Sequence, residues 1–483
     1  MSLSVLEAAA DSPDRLAVVS SASGERLTFA ELGERVRHSI ASLRELGLDG
    51  GASLPRVALV GENSLETICF LLALVEMGEP FVLLHPRLTE RERSAILEEV
   101  RPSVVLARER YSELLAAASR APEPAPATEI PDERCLAVLY TSGTSGRAKG
   151  ALLSRRAFLA SAEASAQNLG WTDEDRWLLC LPLAHVGALS VVTRCLLARR
   201  TIVLEEGGIA HVENLACTME RERVTLASLV PTVLRRLLDL RPAWRPPACL
   251  RAVLLGGAGA PPSLLDEARE RAVPVLTTYG LTEACSQVTT QRYGTPPSAE
   301  QGAGEPLPGF EVRIRGEEIQ VRGPALMSGY FPVGVHADPF LPDGFLATGD
   351  LGRFDEQGRL HVFTRRSDLI VTGGENVYPR EVEQTLLALP GVEAASVFGV
   401  PDDTWGQLVA AAVVAREPGG VSDVALARHV AAELASFKWP RRIAFVERLP
   451  LTPSGKVDRY ALREVCTPLL RPLDVRALAK KPG

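Results

Sequence analysis

At 483 residues the chain is too long for one hydrophobic core, and two to four domains or subdomains are expected. Hydrophobic residues make up 46% and charged residues 23%, a composition that excludes an extended disordered or membrane-dominated chain. A formal charge of −7 with no basic run excludes the electrostatic footprint of a nucleic-acid binder.

The first residues carry no basic segment followed by an apolar one, so no secretory signal is expected. Arg56–Val60 reads as a strand, and Asn63 with Glu66 three residues later resembles a capping box. The helix that follows runs to Met77, with Gly78 as its stop. Its apolar part, 68–77, contains Glu76 and is too short to span a membrane. Further strands are expected at Phe81–Leu84, 103–107, 135–139, 201–204, 225–230 and 250–255, separated by helices. This alternation predicts an α/β fold with largely parallel sheets. The Ala/Pro/Glu segment 121–127 reads as an extended linker.

Around 310–363 the pattern changes to short alternating strands, as in a small β-barrel or antiparallel sheet. After about residue 367 a smaller α+β unit is expected, with helices at 379–388 and 423–436 and strands near 394–398, 408–414 and 443–446. From about Pro472 the chain is polar and expected to fray. Eight cysteines (69, 135, 180, 195, 217, 249, 285 and 466) include no Cys-x-x-Cys pair, which suits free thiols in a reducing cytoplasm.

The densest motif follows the strand 135–139. Thr141, Ser142, Gly143, Thr144, Ser145, Gly146 and Lys149 combine flexible backbone, hydroxyl donors and one cation, an inventory that suits a polyphosphate. Its spacing, Gly143-x-x-Gly146-x-x-Lys149, differs from the common P-loop. Downstream, Tyr279 could stack on a purine and Glu283 could hold Mg²⁺. Asp350 follows a glycine and suits two ribose hydroxyls, and Arg365 could reach a sugar or phosphate oxygen. Gly373 and Gly374 form another glycine loop, and Lys456 sits on a tight turn near the end of the chain. Taken singly, each has a plain alternative as a turn, a helix cap or a surface loop.

In this order the set resembles the acyl-adenylating superfamily of acyl-CoA synthetases, peptide-synthetase adenylation domains and luciferases, over about residues 15–465. Three stretches are most similar to its 2-succinylbenzoate–CoA ligases of menaquinone biosynthesis: Leu181–His185 with Arg194, Tyr279–Gln287, and Arg365–Pro379. The resemblance implies an ATP-dependent, AMP-forming acid–thiol ligase using Mg²⁺ and coenzyme A. It implies an N-terminal domain over 1–367 and a mobile C-terminal domain over 368–483, hinged near Ser367.

By the same resemblance the 141–150 loop holds the β- and γ-phosphates of ATP. Gly257, Thr278, Tyr279, Gly280 and Thr282 serve the nucleotide, with Glu283 as metal ligand, Asp350 for ribose and Arg365 beside it. Lys456 drives adenylate formation, His185 gates the acid pocket, and Gly373-Gly374 lines the pantetheine tunnel. The acid pocket is expected from His185, Ala188, Leu189, Ser190, Ser228, Gly256, Ser286 and Gln287. Arg194 either pairs with a second carboxylate of the acid or is a solvent-facing helix arginine. Departures from the family pattern are Ser145 for threonine, Ala148 for proline and Ala188 for glycine, the last bearing on which acid is used. A benzoate- or anthranilate-type acid, an acyl carrier protein as acceptor, and a homodimer remain open alternatives. So do a luciferase-like oxidase and a non-catalytic nucleotide binder.

Overall fold

The computed structural model describes residues 2–118, 130–141, 149–372, 375–402, 405–452, 455–473 and 475. The 121–127 linker, loop residues 142–148 and the Gly373-Gly374 pair lie outside these residues.

Apolar runs without alternation become strands covered on both faces, as parallel sheets between helices require. Val57–Val60, Phe81–Leu84, Thr201–Leu204, Leu226–Leu229 and Ala252–Leu255 are buried along their whole length. Among the described residues they belong to two sheets. In the first, Val104–Leu106, Val57–Val60, Phe81–Leu84 and Cys135–Thr141 are parallel neighbours, and Lys149–Ser154 and Tyr330–Phe331 add antiparallel strands. In the second, Leu16–Ser20, Thr201–Leu204, Arg176–Leu179, Leu226–Leu229, Ala252–Leu255 and Val275–Leu281 run parallel. Arg26–Thr28 closes one edge, and Ser286–Thr290 with Glu305–Pro306 the other, all antiparallel.

The apolar helix is Leu65–Met77, and Gly78 ends it in the left-handed region at φ 62°. Its cap is Ser64, not Asn63: Ser64 accepts from the Thr67 amide. Asn63 is spent elsewhere, donating to the Leu181 carbonyl at 3.1 Å and accepting from the Leu183 amide at 3.2 Å. It thereby stitches the end of the first sheet to the loop that carries His185. Glu76 is buried and accepts from Ser4 Oγ and the Leu6 amide, which satisfies its carboxylate inside a core helix.

Glu311–Arg315, Glu318–Arg322, Leu346–Phe354 and Leu360–Arg365 form a four-stranded antiparallel sheet. Beyond it, strands from Ile370–Thr372 to Arg471–Pro472 build a separate sheet flanked by helices Pro379–Ala388 and Asp423–Glu433. This unit has its own core, including Val382, Leu386, Val397, Val409, Leu426 and Ile443. The second helix stops three residues short of the expected 436, and Ser436–Lys438 forms a separate 3₁₀ turn. Pro472, expected to fray, is paired with Arg442 in the sheet. All eight cysteines are free, and no helix among the described residues is long and apolar enough to cross a membrane.

Candidate active site

The expected site residues gather where the parallel strands of both sheets end, the crevice in which open α/β sheets bind ligands. Thr141 ends one such strand, Gly256 and Gly257 follow Ala252–Leu255, and Thr278–Gly280 lie in Val275–Leu281. At Gly280 the pairing slips by one residue, and an added Cβ would stand 1.9 Å from the Ser286 carbonyl oxygen. Only glycine fits there. The partner turn is tight as well, with Cys285 at φ 51° and Ser286 at φ 101°.

Asp350 is 6% exposed and holds two neighbours together. Tyr279 Oη donates to its Oδ2 at 2.8 Å and Arg365 Nε to its Oδ1 at 2.9 Å. Burial raises the Asp350 pKa, and Arg365 and the Tyr279 hydroxyl work against that rise. Each carboxylate oxygen keeps a second lone pair. Tyr330, which the sequence did not single out, donates to Glu283 Oε1 at 2.8 Å, and Lys149 Nζ lies 5.1 Å from the centre of its ring. Thr282 opens the 3₁₀ turn that carries Glu283. The Thr278 hydroxyl donates to the Thr289 carbonyl at 2.7 Å and lies 3.0 Å from Thr290 Oγ1.

Lys456 reaches this group from the C-terminal unit. A Cβ built on Gly257, whose φ is 78°, would lie 3.1 Å from Lys456 Cε and 3.5 Å from Nζ. Burial lowers the Lys456 pKa, Arg365 lowers it further, and Asp350 and Glu283 oppose both. The lysine therefore shares one field with the arginine and both carboxylates. Ser367 sits in the 3₁₀ turn Arg366–Asp368, and Asp368 pairs with Arg459 of the C-terminal unit at 3.3 Å.

His185 caps the helix Val186–Ala198 without a side-chain hydrogen bond. Its ring faces that of His85 with centroids 5.3 Å apart, and the Nε2 of each is buried without a partner. The Arg87 amide donates to His85 Nδ1 at 3.0 Å. Burial, then His85 and Lys456, push the His185 pKa down to about 3, and burial, then Arg87, push that of His85 down to about 4. Both rings are neutral. The sequence signal for His85 was a polar residue ending the apolar strand Phe81–Leu84, a feature too common to single it out.

The helix that His185 caps also carries buried side chains with unspent polarity. Arg194 is 2% exposed, which removes the solvent-facing alternative. Its Nε has no partner, its Nη2 reaches Ser161 Oγ at only 3.5 Å, and its guanidinium lies 5.6 Å from the Trp177 ring centre. Among the described residues no carboxylate pairs with it, and burial pushes its pKa down to about 10. Ser190 lies one helical turn away on the same face, and its hydroxyl is also unpartnered, as is Gln287 Oε1. Ser228 accepts from Trp177 Nε1 at 3.2 Å, so Trp177 joins Ser228 to Arg194. Ala188 and Leu189 are fully buried in the main core.

A model of the AMP-binding enzyme family matches residues 5–331, and one of the AMP-binding enzyme C-terminal domain matches 381–456. The chain is 36% identical over 477 residues to 2-succinylbenzoate–CoA ligase from Bacillus licheniformis, covering 93% of this chain and 97% of that protein. The solved o-succinylbenzoate CoA synthetase (MenE) from Bacillus subtilis, in complex with the acyl-adenylate intermediate OSB-AMP, matches with a TM-score of 0.85 and 32% identity, covering 95% of this chain and 97% of that one. A double mutant of that enzyme bound to its product analogue OSB-NCoA matches with a TM-score of 0.69 and 33% identity at the same coverage. The arrangement here is thus nearer to the adenylate-bound complex. With matched segments covering most of its length, the chain belongs to the AMP-binding enzyme family.

Proposed function

We propose that the protein is an ATP-dependent, AMP-forming acid–thiol ligase that converts 2-succinylbenzoate to its coenzyme A thioester. The observation that carries the choice of acid is Arg194, a buried cation without a carboxylate, on one helix face with the unpartnered Ser190 hydroxyl. A buried unpaired charge is costly to the fold, so its persistence argues for an anionic partner supplied by the ligand. The second carboxylate of 2-succinylbenzoate is such a partner, and the relatives at 32–36% identity act on that acid.

In the first half-reaction a carboxylate oxygen attacks the α-phosphorus of ATP and pyrophosphate leaves. The nucleophile and the triphosphate are both anionic, so the site must place positive charge between them. Lys456 would bridge carboxylate and α-phosphate, and Lys149 with the 142–146 amides would hold the leaving side. Asp350 would take the ribose hydroxyls, with Tyr279 against the adenine. Glu283 fits Mg²⁺: it is a hard oxygen donor, and no cluster of three or more His, Cys, Asp or Glu occurs among the described residues. The remaining ligands would then be phosphate oxygens and water, the common way this ion is held, and its charge would offset that of pyrophosphate. In the second half-reaction the thiol sulfur attacks the acyl carbonyl carbon, the thiol proton is lost and AMP leaves. Lys456 would obstruct the approach of the thiol while it serves the first step, so units 1–367 and 368–483 would rotate about Ser367 between the steps.

AMP and pyrophosphate release, measured with coenzyme A and a panel of acids, tests this reading. Turnover is expected with 2-succinylbenzoate and not with benzoate. Turnover of benzoates alone would transfer the assignment to an aryl-CoA ligase, and turnover with a carrier protein but not coenzyme A would change the acceptor.

A further inference from the structure

Two cations of the C-terminal unit descend on one short loop of the large unit. Lys456 lies over Gly257, and Arg380 lies over Gly259, two residues along. Arg380 opens the helix Pro379–Ala388; its Nη1 donates to the Val362 carbonyl at 2.9 Å and its Nη2 to the Ala260 carbonyl at 3.3 Å. Both acceptors belong to the part of the chain before Ser367. A Cβ at residue 259 would stand 2.4 Å from the guanidinium carbon. Gly259 does not have a left-handed φ, so the backbone there does not require glycine; the guanidinium does. Arg380 makes no ion pair among the described residues, and burial lowers its pKa against the pull of Glu383.

Besides the pull of Glu383 on its own helix, this cation is held by two fixed carbonyl dipoles of the large unit, and both would be lost to it once the units rotate apart. We propose that Arg380 is a positioning residue for adenylate formation, a clasp on Val362 and Ala260 that keeps Lys456 over Gly257 and opens before the thioester step. This rests on the two-step reading above. The rate of a step scales with the population of the orientation that performs it, so weakening the clasp acts on the first half-reaction alone.

The guanidinium is the mobile end of a long side chain and supplies the three atoms nearest to a Cβ at residue 259, so a methyl there displaces it. Gly259→Ala and Arg380→Ala therefore remove the same contact. Each is expected to lower acid-dependent ATP–pyrophosphate exchange by about tenfold or more, for the loss of two charge-assisted hydrogen bonds, one of them long. The double variant is expected to match Arg380→Ala. Thioester formation from supplied acyl-adenylate is expected to stay at the native rate or rise in all three. Without any substrate, amide hydrogen exchange over 256–262 and 455–462 is expected to rise in each variant. Additive losses, no loss, equal loss in both half-reactions, or unchanged amide exchange would each overturn the clasp. If the native protein exchanges pyrophosphate with no acid, the proposed ligase reading fails, and the substrate-free amide measurement alone decides the clasp.

Discussion

Thr232 Oγ1 donates to the carbonyl of Gly455 at 2.8 Å, so a hydroxyl of the large unit grips the residue immediately before Lys456. The Lys456 amide donates to Thr452 Oγ1 at 3.2 Å, and Gly455 turns the chain at φ 81°. The backbone at Gly455 and Lys456 is therefore anchored, and the lysine side chain lies over Gly257.

That placement ranks the two lysines. At about 4 Å and an effective dielectric near 20, one charge pair is worth about 4 kcal/mol, or roughly a thousandfold in rate. Lys456→Ala is expected to lose about that much pyrophosphate exchange. Lys149→Ala is expected to lose far less, because the amides proposed at 142–146 would share its task. Comparable losses would refute the ranking.

Arg194 separates stability from specificity. Replacing a buried unpaired cation by a well-packed apolar side chain is neutral or stabilising, so Arg194→Met is expected to hold or raise the melting temperature. The same change leaves a substrate carboxylate unpaired, an effect of about 3–5 kcal/mol for a buried pair. The kcat/KM for 2-succinylbenzoate should accordingly fall by roughly a hundredfold or more. A variant that is both less stable and equally specific would show that Arg194 serves the fold.

The facing histidines predict an acid limb. Both are bases whose pKa in the folded protein, about 3 for His185 and about 4 for His85, lies below the ordinary 6.5. Above 6.5 both are neutral in either state and stability is unaffected. As pH falls from 6.5 towards 4, the unfolded chain takes up protons that the folded one refuses, so stability declines. The slope approaches about 1.4 kcal/mol per pH unit for each ring. His185→Phe is expected to flatten denaturant-derived stability between about pH 4.5 and 6.5. An unchanged slope would mean that His185 protonates freely in the folded protein.

Much of this was legible in the sequence because it rests on local pattern. Val57–Val60 and Phe81–Leu84 are continuous apolar runs, and Glu311–Arg315 with Glu318–Arg322 alternate, so their periods declare their sheets. Candidate roles for Asp350, Arg365 and Lys456 could be read because each sits in a short motif. Asn63 looked like a cap because capping residues are defined by spacing, yet its amide is used across 118 residues of chain, to Leu181. His85, Tyr330, Thr232 and Arg380 were silent for the same reason: each matters through a partner distant in sequence. Arg194 was ambiguous because burial, not spacing, decides whether a helix arginine is solvated.

The turn at Ser367 carries the last prediction. Arg366–Asp368 is a 3₁₀ turn, a conformation whose φ lies within the range that proline enforces. Ser367→Pro should thus favour the present orientation, in which Lys456 lies over Gly257, and resist the rotation proposed between the two half-reactions. Asp368, paired with Arg459 at 3.3 Å, ties the C-terminal unit to the same turn and is left in place by this substitution. Pyrophosphate exchange is expected to stay within about threefold of native, while thioester formation from supplied adenylate falls by at least about tenfold. Single-turnover measurements of the two steps decide it. Equal loss in both would refute Ser367 as the hinge, and loss of adenylation alone would show that the present orientation itself depends on the freedom of Ser367.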